Sequence, residues 1–265
     1  MALIPVWFTN IFTVAIGLVV GSFVNVVIVR LPKSKSLYSL VSPPSHCPKC
    51  RTRIRWWDNI PVLSYLILCG KCRKCHKRIS LRYPIIELLT ALLFIACRLR
   101  FGWGPLLFVR DWPLMAIFVA ITFIDLEHRI IPDELSKGGT LLGLATAWWV
   151  PGLGLQASVL GVILGFGFFY ALAWAYEKYK GRTGLGGGDV KLLGMVGAFM
   201  GPGGVFVTVL LSSILGSIIG ILWAWISRKK NMMTVAIPYG PFLVIGALYY
   251  YLLGDLLWFR FMIPT

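Results

Sequence analysis

Residues 6–29, VWFTNIFTVAIGLVVGSFVNVVIV, contain no charged side chain over 24 positions. A helix of that length is long enough to cross a hydrocarbon core of roughly 30 Å. The whole chain has the same character, since 58% of its 265 residues are hydrophobic, 14% are charged and the mean hydropathy is +0.79. Soluble proteins carry about 25% charged residues. The sequence therefore predicts an all-α polytopic membrane protein.

A strongly basic loop follows the first apolar run. From Arg30 to Arg82 the sequence has 13 Lys and Arg residues and one acid, Asp58. The positive-inside rule predicts that this loop is cytoplasmic. The net charge of +16 is then explained by loops that lie beside anionic phospholipid, and no nucleic acid partner is expected.

Apolar runs alternate with polar or glycine-rich turns, and this alternation predicts about eight transmembrane helices. After residues 6–29, the runs lie at about 85–97, 112–124, 138–150, 158–176, 190–200, 205–226 and 238–258. This topology places both termini outside and 22 of the 26 Lys and Arg residues on the cytoplasmic side; the exceptions are Arg98, Arg100, Arg110 and Arg260. The predicted organisation is a first transmembrane helix (1–30), a cytoplasmic zinc-binding loop (31–83) and a transmembrane bundle (84–265).

Two C-x2-C pairs interrupt the basic loop, and 21 residues separate them. Each pair supplies two thiolates from one tight turn, and two such turns complete a closed tetrahedral site of the kind that holds structural zinc. The expected ligands are Cys47, Cys50, Cys72 and Cys75.

Three neighbouring residues compete for a place in this ligand set. Cys69 stands three residues before Cys72, and His46 and His76 flank the pairs. Cys69 continues an apolar run, Leu66-Ile67-Leu68, which favours a partly buried free thiol. Unmetallated cysteines or disulfides are the alternative, but clustered cysteines in a reducing compartment favour a metal.

Two aspartates lie where apolar runs meet polar loops. Asp125 follows an uninterrupted apolar helix, and Asp189 follows Gly186-Gly187-Gly188 and opens another helix. Ionisable groups at membrane depth are costly and usually mark function. The simpler interpretations are an N-cap for Asp189 and an interfacial residue that ends a span for Asp125.

Pairing of Asp125 with Asp189 would give these residues a specific chemistry. Glycine at Gly186 and Gly188 removes side-chain bulk, so that a substrate backbone can come close and the loop can adopt positive φ. Two carboxyl groups a few ångströms apart share one proton, so that one deprotonates water while the other polarises a scissile carbonyl. Such a site needs no serine, cysteine or metal nucleophile.

Other acids are weaker candidates for this role. Glu127, Asp133 and Glu134 lie farther into a polar loop, where solvated salt partners are expected. Glu87 lies inside the second apolar run, and its two interpretations are a membrane-facing polar contact and a binding group.

The ordered motifs of the chain resemble those of the type IV prepilin peptidases, membrane members of the GxGD aspartyl protease class. The resemblance covers nearly the whole chain, including both cysteine pairs, Asp125 and Gly186-Gly187-Gly188-Asp189. Its other motifs are Gly21-Ser22-Phe23-Val24-Asn25-Val26, Arg30-Leu31-Pro32, Asn59-Ile60-Pro61-Val62-Leu63-Ser64-Tyr65-Leu66, Gly70-Lys71-Cys72, Arg82-Tyr83-Pro84, Glu87-Leu88-Leu89-Thr90, Pro132-Asp133, Lys191-Leu192-Leu193 and Ile237-Pro238-Tyr239-Gly240-Pro241.

This resemblance implies an enzyme of the bacterial inner membrane that removes the basic leader from type IV prepilins or pseudopilins at the cytoplasmic face. Asp125 and Asp189 would carry the catalysis, with Gly186 and Gly188 supporting the loop and the substrate. Because the basic loop should repel a basic leader, lipid headgroups or local acids such as Glu127, Asp133 and Glu134 are expected to recognise the leader's charge.

Many enzymes of this kind also methylate the new N-terminal residue with S-adenosylmethionine. That activity is associated with the cysteine loop, and Gly70 and Lys71 match the segment tied to it. A peptidase without methyltransferase activity and a non-catalytic assembly protein with a zinc docking loop are the alternatives. A transporter that binds an ion through Asp125 and Asp189 fits less well, because both residues lie at predicted helix ends.

Overall fold

The computed structural model describes residues 5–34, 37–181, 186–227 and 238–254, and within these ranges the chain is helical without a β-strand. The all-helical class is therefore confirmed for this part of the chain. Its α-helices are α1 Val6–Arg30, α2 Leu63–Ile67, α3 Arg82–Phe101, α4 Trp112–His128, α5 Asp133–Ala147, α6 Gly154–Val162, α7 Phe169–Lys180, α8 Gly187–Ser227 and α9 Gly240–Leu253. Short π-helical segments, Leu107–Asp111 and Ile163–Phe168, precede α4 and join α6 to α7.

Four helical stretches are long and apolar enough to cross a membrane: Val6–Lys33, Leu107–His128, Gly154–Lys180 and Gly187–Leu222. Gly240–Leu253 is a shorter apolar helix. The predicted second span corresponds to α3, which includes the charged residues Arg82, Glu87, Arg98 and Arg100. The predicted fourth span corresponds to α5, which has only 15 residues. The predicted number of eight transmembrane helices is therefore not confirmed.

The predicted turn between the sixth and seventh spans is a kink inside α8. Gly201 has φ 68° and ψ −170°, and Pro202 follows it. Proline lacks the N–H that a continuous helix needs, and glycine adopts positive φ without steric cost.

Some predictions concern residues outside the described ranges, namely Arg182, Gly184, Leu185, Arg228-Lys229-Lys230, Ile237, Trp258 and Arg260.

The chain divides into two compact units, Met1–Ala120 and Ile121–Thr265. In the first unit α1 packs antiparallel to α3. A Cβ atom at Gly21 would lie 2.7 Å from Glu87 Cα, and Gly17 meets α3 equally closely one turn away. One turn in the other direction, Asn25 Nδ2 donates a hydrogen bond of 3.2 Å to the Tyr83 carbonyl. Residues four apart share one helix face, so these three positions of α1 form a single line of contact with α3.

In the second unit α8 packs against α5, α6 and α9. Gly197 of α8 and Gly161 of α6 face each other so closely that a Cβ atom on either would overlap the other's carbonyl group. A Cβ atom at Gly246 of α9 would lie 2.8 Å from the Thr208 carbonyl oxygen. Close contact of helix backbones at small residues is common in membranes, where lipid gives no hydrophobic drive to helix association.

Substitution at the contact between α6 and α8 tests this packing. Gly197→Val should lower the free energy of unfolding by about 1–3 kcal/mol, because the new side chain meets backbone atoms that cannot rotate away. Denaturant unfolding in detergent micelles would measure the loss. Gly138→Ala is the control, since nothing lies within 4 Å of its Cβ position. An equal effect of the two substitutions would show that the close contact is absent.

Candidate active site and metal centre

The four cysteines of the two C-x2-C pairs lie together. The sulfur atoms of Cys47, Cys50, Cys72 and Cys75 are all within 4.8 Å of one another. The Sγ atoms of Cys47 and Cys75 are 3.9 Å apart, and those of Cys50 and Cys72 are 4.0 Å apart. A tetrahedron with Zn–S bonds of about 2.3 Å has sulfur edges of roughly 3.8 Å. The group can therefore hold a metal ion, and its geometry and its four thiols fit zinc.

The two pairs sit on turns with the same backbone hydrogen bonds. In each turn the N–H of the first cysteine donates to the carbonyl five residues later. The carbonyl of the same cysteine accepts from the N–H four residues later. A third hydrogen bond closes the base of the turn. The donor and acceptor pairs are Cys47 to Thr52, Arg51 to Cys47 and Ile54 to Ser45, and then Cys72 to Lys77, His76 to Cys72 and Ile79 to Gly70. Arg51 and His76, directly after the second cysteines, have φ of 56° and 54°.

This correspondence defines a short internal repeat that the sequence analysis missed. SHCPKCRTRI, at 45–54, and GKCRKCHKRI, at 70–79, share both cysteines, a lysine, an arginine and an isoleucine at equal positions. The spacing of the cysteines was noticed, whereas the arginine and isoleucine after each pair were not used. In the structure these residues belong to the turn itself, because the isoleucine N–H closes its base.

Hydrogen bonds lower the pKa of two of the four thiols. Side-chain and backbone hydrogen bonds with Thr52 lower the pKa of Cys50 to about 6. Backbone hydrogen bonds from Cys75 and Lys74 lower the pKa of Cys72. The thiolate is the form that binds metal, so these hydrogen bonds favour ligation by Cys50 and Cys72, whereas desolvation and hydrogen bonds with the other three thiols raise the pKa of Cys75 to about 11.

The neighbouring candidates do not join this group. Among the described residues, the cluster contains neither Cys69 nor His46 nor His76. Cys69 is exposed, in contrast to the expected partial burial. His46 Nδ1 lies 3.1 Å from the Pro44 carbonyl oxygen.

Gly70 and Lys71 belong to the second of these turns. Gly70 is buried with φ +66°, and a Cβ atom there would lie 2.7 Å from the Tyr65 hydroxyl oxygen. The positive φ favours glycine at this position, and a larger residue would also have to displace the end of the Tyr65 side chain. Lys71 is exposed, so its side chain is available to solvent or to a ligand.

An ion pair fixes the second turn to the rest of the loop. Arg73, between Cys72 and Cys75, donates three hydrogen bonds to the Asp58 carboxylate: Nε to Oδ2 at 2.9 Å, Nε to Oδ1 at 3.1 Å and Nη2 to Oδ1 at 2.6 Å. The same guanidinium group holds the pKa of Asp58 below its ordinary value. The one acid of the basic loop is thus already neutralised by a neighbour.

Asp125 lies in the last turn of α4 and is only 5% exposed. The backbone N–H of Gly240, at the start of α9, donates a hydrogen bond of 2.9 Å to Asp125 Oδ2. A Cβ atom at Gly240 would lie 2.8 Å from that oxygen. The sequence analysis included Gly240 in a motif but gave it no role; in the structure it orients the Asp125 carboxyl group.

Asp189 lies in the first turn of α8, where the helix dipole favours a negative charge. A Cβ atom at Gly186 would lie 2.7 Å from Asp189 Oδ2, and one at Gly188 would lie 3.0 Å from Ile131 Cβ. Gly188 is helical, so the expected positive φ does not apply to it. These two glycines make room for atoms of the protein itself.

The two aspartates are close enough for their carboxyl groups to interact electrostatically. The segment that follows α4 lies beside the start of α8, because a Cβ atom at Gly188 would lie 3.0 Å from Ile131 Cβ, and α9 contributes its first amide. A partly buried pair of carboxyl groups with one fixed amide donor has the elements of an acid and base pair.

The competing acids have different surroundings. Asp133 forms ion pairs with Lys137 at 2.8 Å and with Lys191 at 2.5 Å. Hydrogen bonds from Lys137 and Lys191 hold the pKa of Asp133 below its usual value. Glu127 and Glu134 are exposed. Asp133 therefore links α5 to α8, and the other two acids are accessible to solvent.

Metal analysis of purified protein tests the cysteine site. The wild type should contain about one zinc ion per chain, and Cys72→Ser should lose most of it because a closed tetrahedral site needs all four ligands. Mass spectrometry of the metal content would measure this ratio. Cys69→Ser is the matched control and should retain the metal. Equal losses in the two variants would place Cys69 in the ligand set.

Two family models match the chain. The bacterial peptidase A24 N-terminal domain matches residues 15–101, and the type IV leader peptidase family matches residues 112–221. The first range includes the four clustered cysteines and Glu87, and the second includes Asp125 and Asp189.

Curated relatives match over most of their length. A prepilin leader peptidase/N-methyltransferase of Pseudomonas putida is 36% identical over 96% of this chain and 94% of its own. Its namesake in Pseudomonas aeruginosa is 37% identical over 92% and 90%. A type 4 prepilin-like proteins leader peptide-processing enzyme of Escherichia coli is 38% identical over 88% and 89%. No solved structure matches the chain. The chain therefore belongs to the type IV leader peptidase family, that of the prepilin leader peptidases/N-methyltransferases.

Proposed function

We propose that this chain cleaves the leader peptide of prepilins or pseudopilins with Asp125 and Asp189 as an acid and base pair. The observation that supports the proposal most directly is the hydrogen bond from Gly240 N–H to the buried Asp125 carboxyl group, whose charge also acts on Asp189 in the first turn of α8. Ionisable groups at membrane depth are costly and usually mark function.

The chemistry requires that the pair share one proton. One carboxylate takes a proton from a water molecule, whose oxygen attacks the scissile carbonyl, while the protonated partner donates a hydrogen bond to the carbonyl oxygen. Collapse of the tetrahedral intermediate transfers a proton to the leaving nitrogen and restores the shared proton. Gly240 N–H fixes one oxygen of Asp125, so that the other can face the substrate.

We also propose methylation of the new N-terminal residue, with S-adenosylmethionine as methyl donor. The names of the relatives and the loop geometry support this second activity. Zinc bound by Cys47, Cys50, Cys72 and Cys75 would leave no open coordination position, so its role would be structural. The exposed Lys71 is available to contact substrate or donor, while the buried Gly70 shapes the turn.

In the proposed topology the protein lies in the bacterial inner membrane, with the loop at 31–83 and both aspartates on the cytoplasmic side. The loop's 12 basic residues support contact with anionic phospholipid. Residues 1–30 would form the first span and 84–265 the peptidase bundle. For recognition of a basic leader, Glu127 and Glu134 are better placed than Asp133, because two lysines already bind Asp133.

Mass spectrometry of a prepilin incubated with detergent-purified enzyme and S-adenosylmethionine tests both activities. The wild type should remove the leader and add one methyl group. Asp125→Asn and Asp189→Asn should each slow cleavage by about 10²–10⁴-fold, the range that general acid and base groups contribute.

Glu177→Gln is the control, because it neutralises an exposed acid of α7 that has no part in the proposed mechanism. It should cleave at nearly the wild-type rate. Cleavage that survives either aspartate substitution would refute the pair. Cleavage without an added methyl group would leave a peptidase alone.

Gly240→Ala tests the contact that orients Asp125. The methyl group would lie 2.8 Å from Asp125 Oδ2 and must displace the carboxyl group or the start of α9. Cleavage should fall by about 10²-fold, because misplacement of a catalytic group by about 1 Å has that effect. Gly187→Ala is the control, since nothing lies within 4 Å of its Cβ position. Wild-type activity of Gly240→Ala would contradict the role of this contact.

A further inference from the structure

A strained corner precedes α2 in the cysteine loop. Val62 has φ 60° and ψ −50°, and α2 begins at the next residue. A β-branched side chain is a clear outlier at positive φ, because its branches crowd the backbone. Such conformations persist only where surrounding contacts hold them in place.

Glu87 provides one such contact from a different part of the fold. The backbone N–H of Val62 donates a hydrogen bond of 2.8 Å to Glu87 Oε2. Glu87 lies in the second turn of α3 and is only 7% exposed. The bond joins a residue of the loop to a buried carboxyl group on a helix that packs against α1.

The position of Glu87 is fixed by the contact between α1 and α3. Gly21 brings α1 so close that a Cβ atom there would lie 2.7 Å from Glu87 Cα. Asn25 Nδ2 donates hydrogen bonds of 3.2 Å to the carbonyls of Gly21 and Tyr83. Tyr83 is one turn before Glu87, so the start of α3 is held on both sides of the carboxyl group.

The corner at Val62 in turn positions the turn that contains Gly70 and Lys71. The Val62 carbonyl accepts the Leu66 N–H at 3.0 Å in the first turn of α2. Tyr65, in α2, accepts the Gly70 N–H at 2.8 Å through its carbonyl, and its hydroxyl donates to the Ile79 carbonyl at 3.3 Å. Each step from Glu87 to Gly70 is therefore a hydrogen bond or a turn of helix.

We propose that Glu87 is a positioning residue for methyl transfer. Its carboxyl group holds the Val62 corner, and through α2 and Tyr65 it fixes the Gly70–Lys71 turn, while it contributes nothing to leader cleavage. This inference rests on the proposed methyltransferase function of the loop. It assigns a task to a buried carboxyl group that the aspartate pair does not use.

The test compares Glu87→Leu with the wild type in full-length, detergent-purified enzyme. Methyl transfer is measured on a pilin peptide that already lacks its leader, and cleavage is measured separately on the intact prepilin. The methyl-transfer rate should fall by about 10- to 100-fold, as expected for a misplaced active segment, while cleavage stays within about twofold of wild type. Amide hydrogen exchange in residues 60–68 should become faster, and zinc content should not change.

Thr90→Val is the matched control. Thr90 is buried in the same helix, and among the described residues its hydroxyl donates to the Ile86 carbonyl of that helix alone, at 2.8 Å. It should leave both activities and the exchange of the loop near wild-type values. Glu87→Gln keeps a carbonyl oxygen that can accept the Val62 N–H, so it should lose much less methyl transfer than Glu87→Leu.

A second substitution separates positioning from general stability. Glycine adopts positive φ without strain, so Val62→Gly removes the need for an external contact at the corner. Combined with Glu87→Leu, it should restore most of the lost methyl transfer. A variant that merely folds poorly would not be rescued in this way.

The outcomes distinguish this inference from the proposed function. A wild type that cleaves but transfers no methyl group refutes the methyltransferase function. A wild type that methylates, with Glu87→Leu methylating equally well or losing cleavage and methylation together, refutes the positioning role. Unchanged hydrogen exchange at 60–68 in Glu87→Leu, or failure of Val62→Gly to rescue, also refutes it.

Discussion

Backbone contact between helices at glycine is the constraint on which both units depend. Lipid offers helices no hydrophobic reason to associate, so close packing must come from van der Waals contact at small residues. Gly197 and Gly161 provide it between α8 and α6, and Gly21 provides it between α1 and α3. Because these contacts allow no additional methyl group, they set the relative position of neighbouring helices closely. A carboxyl group on such a helix is then held at a defined place without a network of side chains.

The candidate active site uses this precision at helix ends. The last turn of α4, the first turn of α8 and the first residue of α9 supply two carboxyl groups and one amide. Glycine also has a local part here, because Gly186 and Gly240 lie where a Cβ atom would overlap an aspartate oxygen. The absence of a side chain at these two glycines thus leaves space for the carboxyl groups of Asp189 and Asp125. The same residue type that brings helices together also keeps their polar ends uncrowded.

The sequence predicted the class of fold and the groups that come together, because these follow from composition and spacing. Uncharged runs such as 6–29 identify helices, and two C-x2-C pairs identify a four-thiol cluster. The number of membrane crossings was harder to predict, because α3 contains charged residues and α5 has only 15 residues.

The hydrogen-bond partners of single polar groups were not predictable from the sequence. The bond from Val62 to Glu87 joins residues 25 apart and depends on a backbone angle that valine disfavours. Likewise, sequence alone could not show that Gly240 would meet Asp125, 115 residues earlier.

The repeated turns at 45–54 and 70–79 have a consequence for how the cysteine loop can change during evolution. Each turn closes itself with the same three backbone hydrogen bonds, so each can form locally from ten residues. Neither turn alone supplies more than two sulfur ligands, and a closed tetrahedral site requires four. The two halves are therefore independent in shape but dependent in metal binding. Substitution of one cysteine removes the benefit of the other three, whereas the segment between the turns is under no such restriction. Selection should thus treat the four cysteines as a single character, while the connecting residues are constrained one by one through contacts such as those of Asp58 with Arg73 and of Val62 with Glu87.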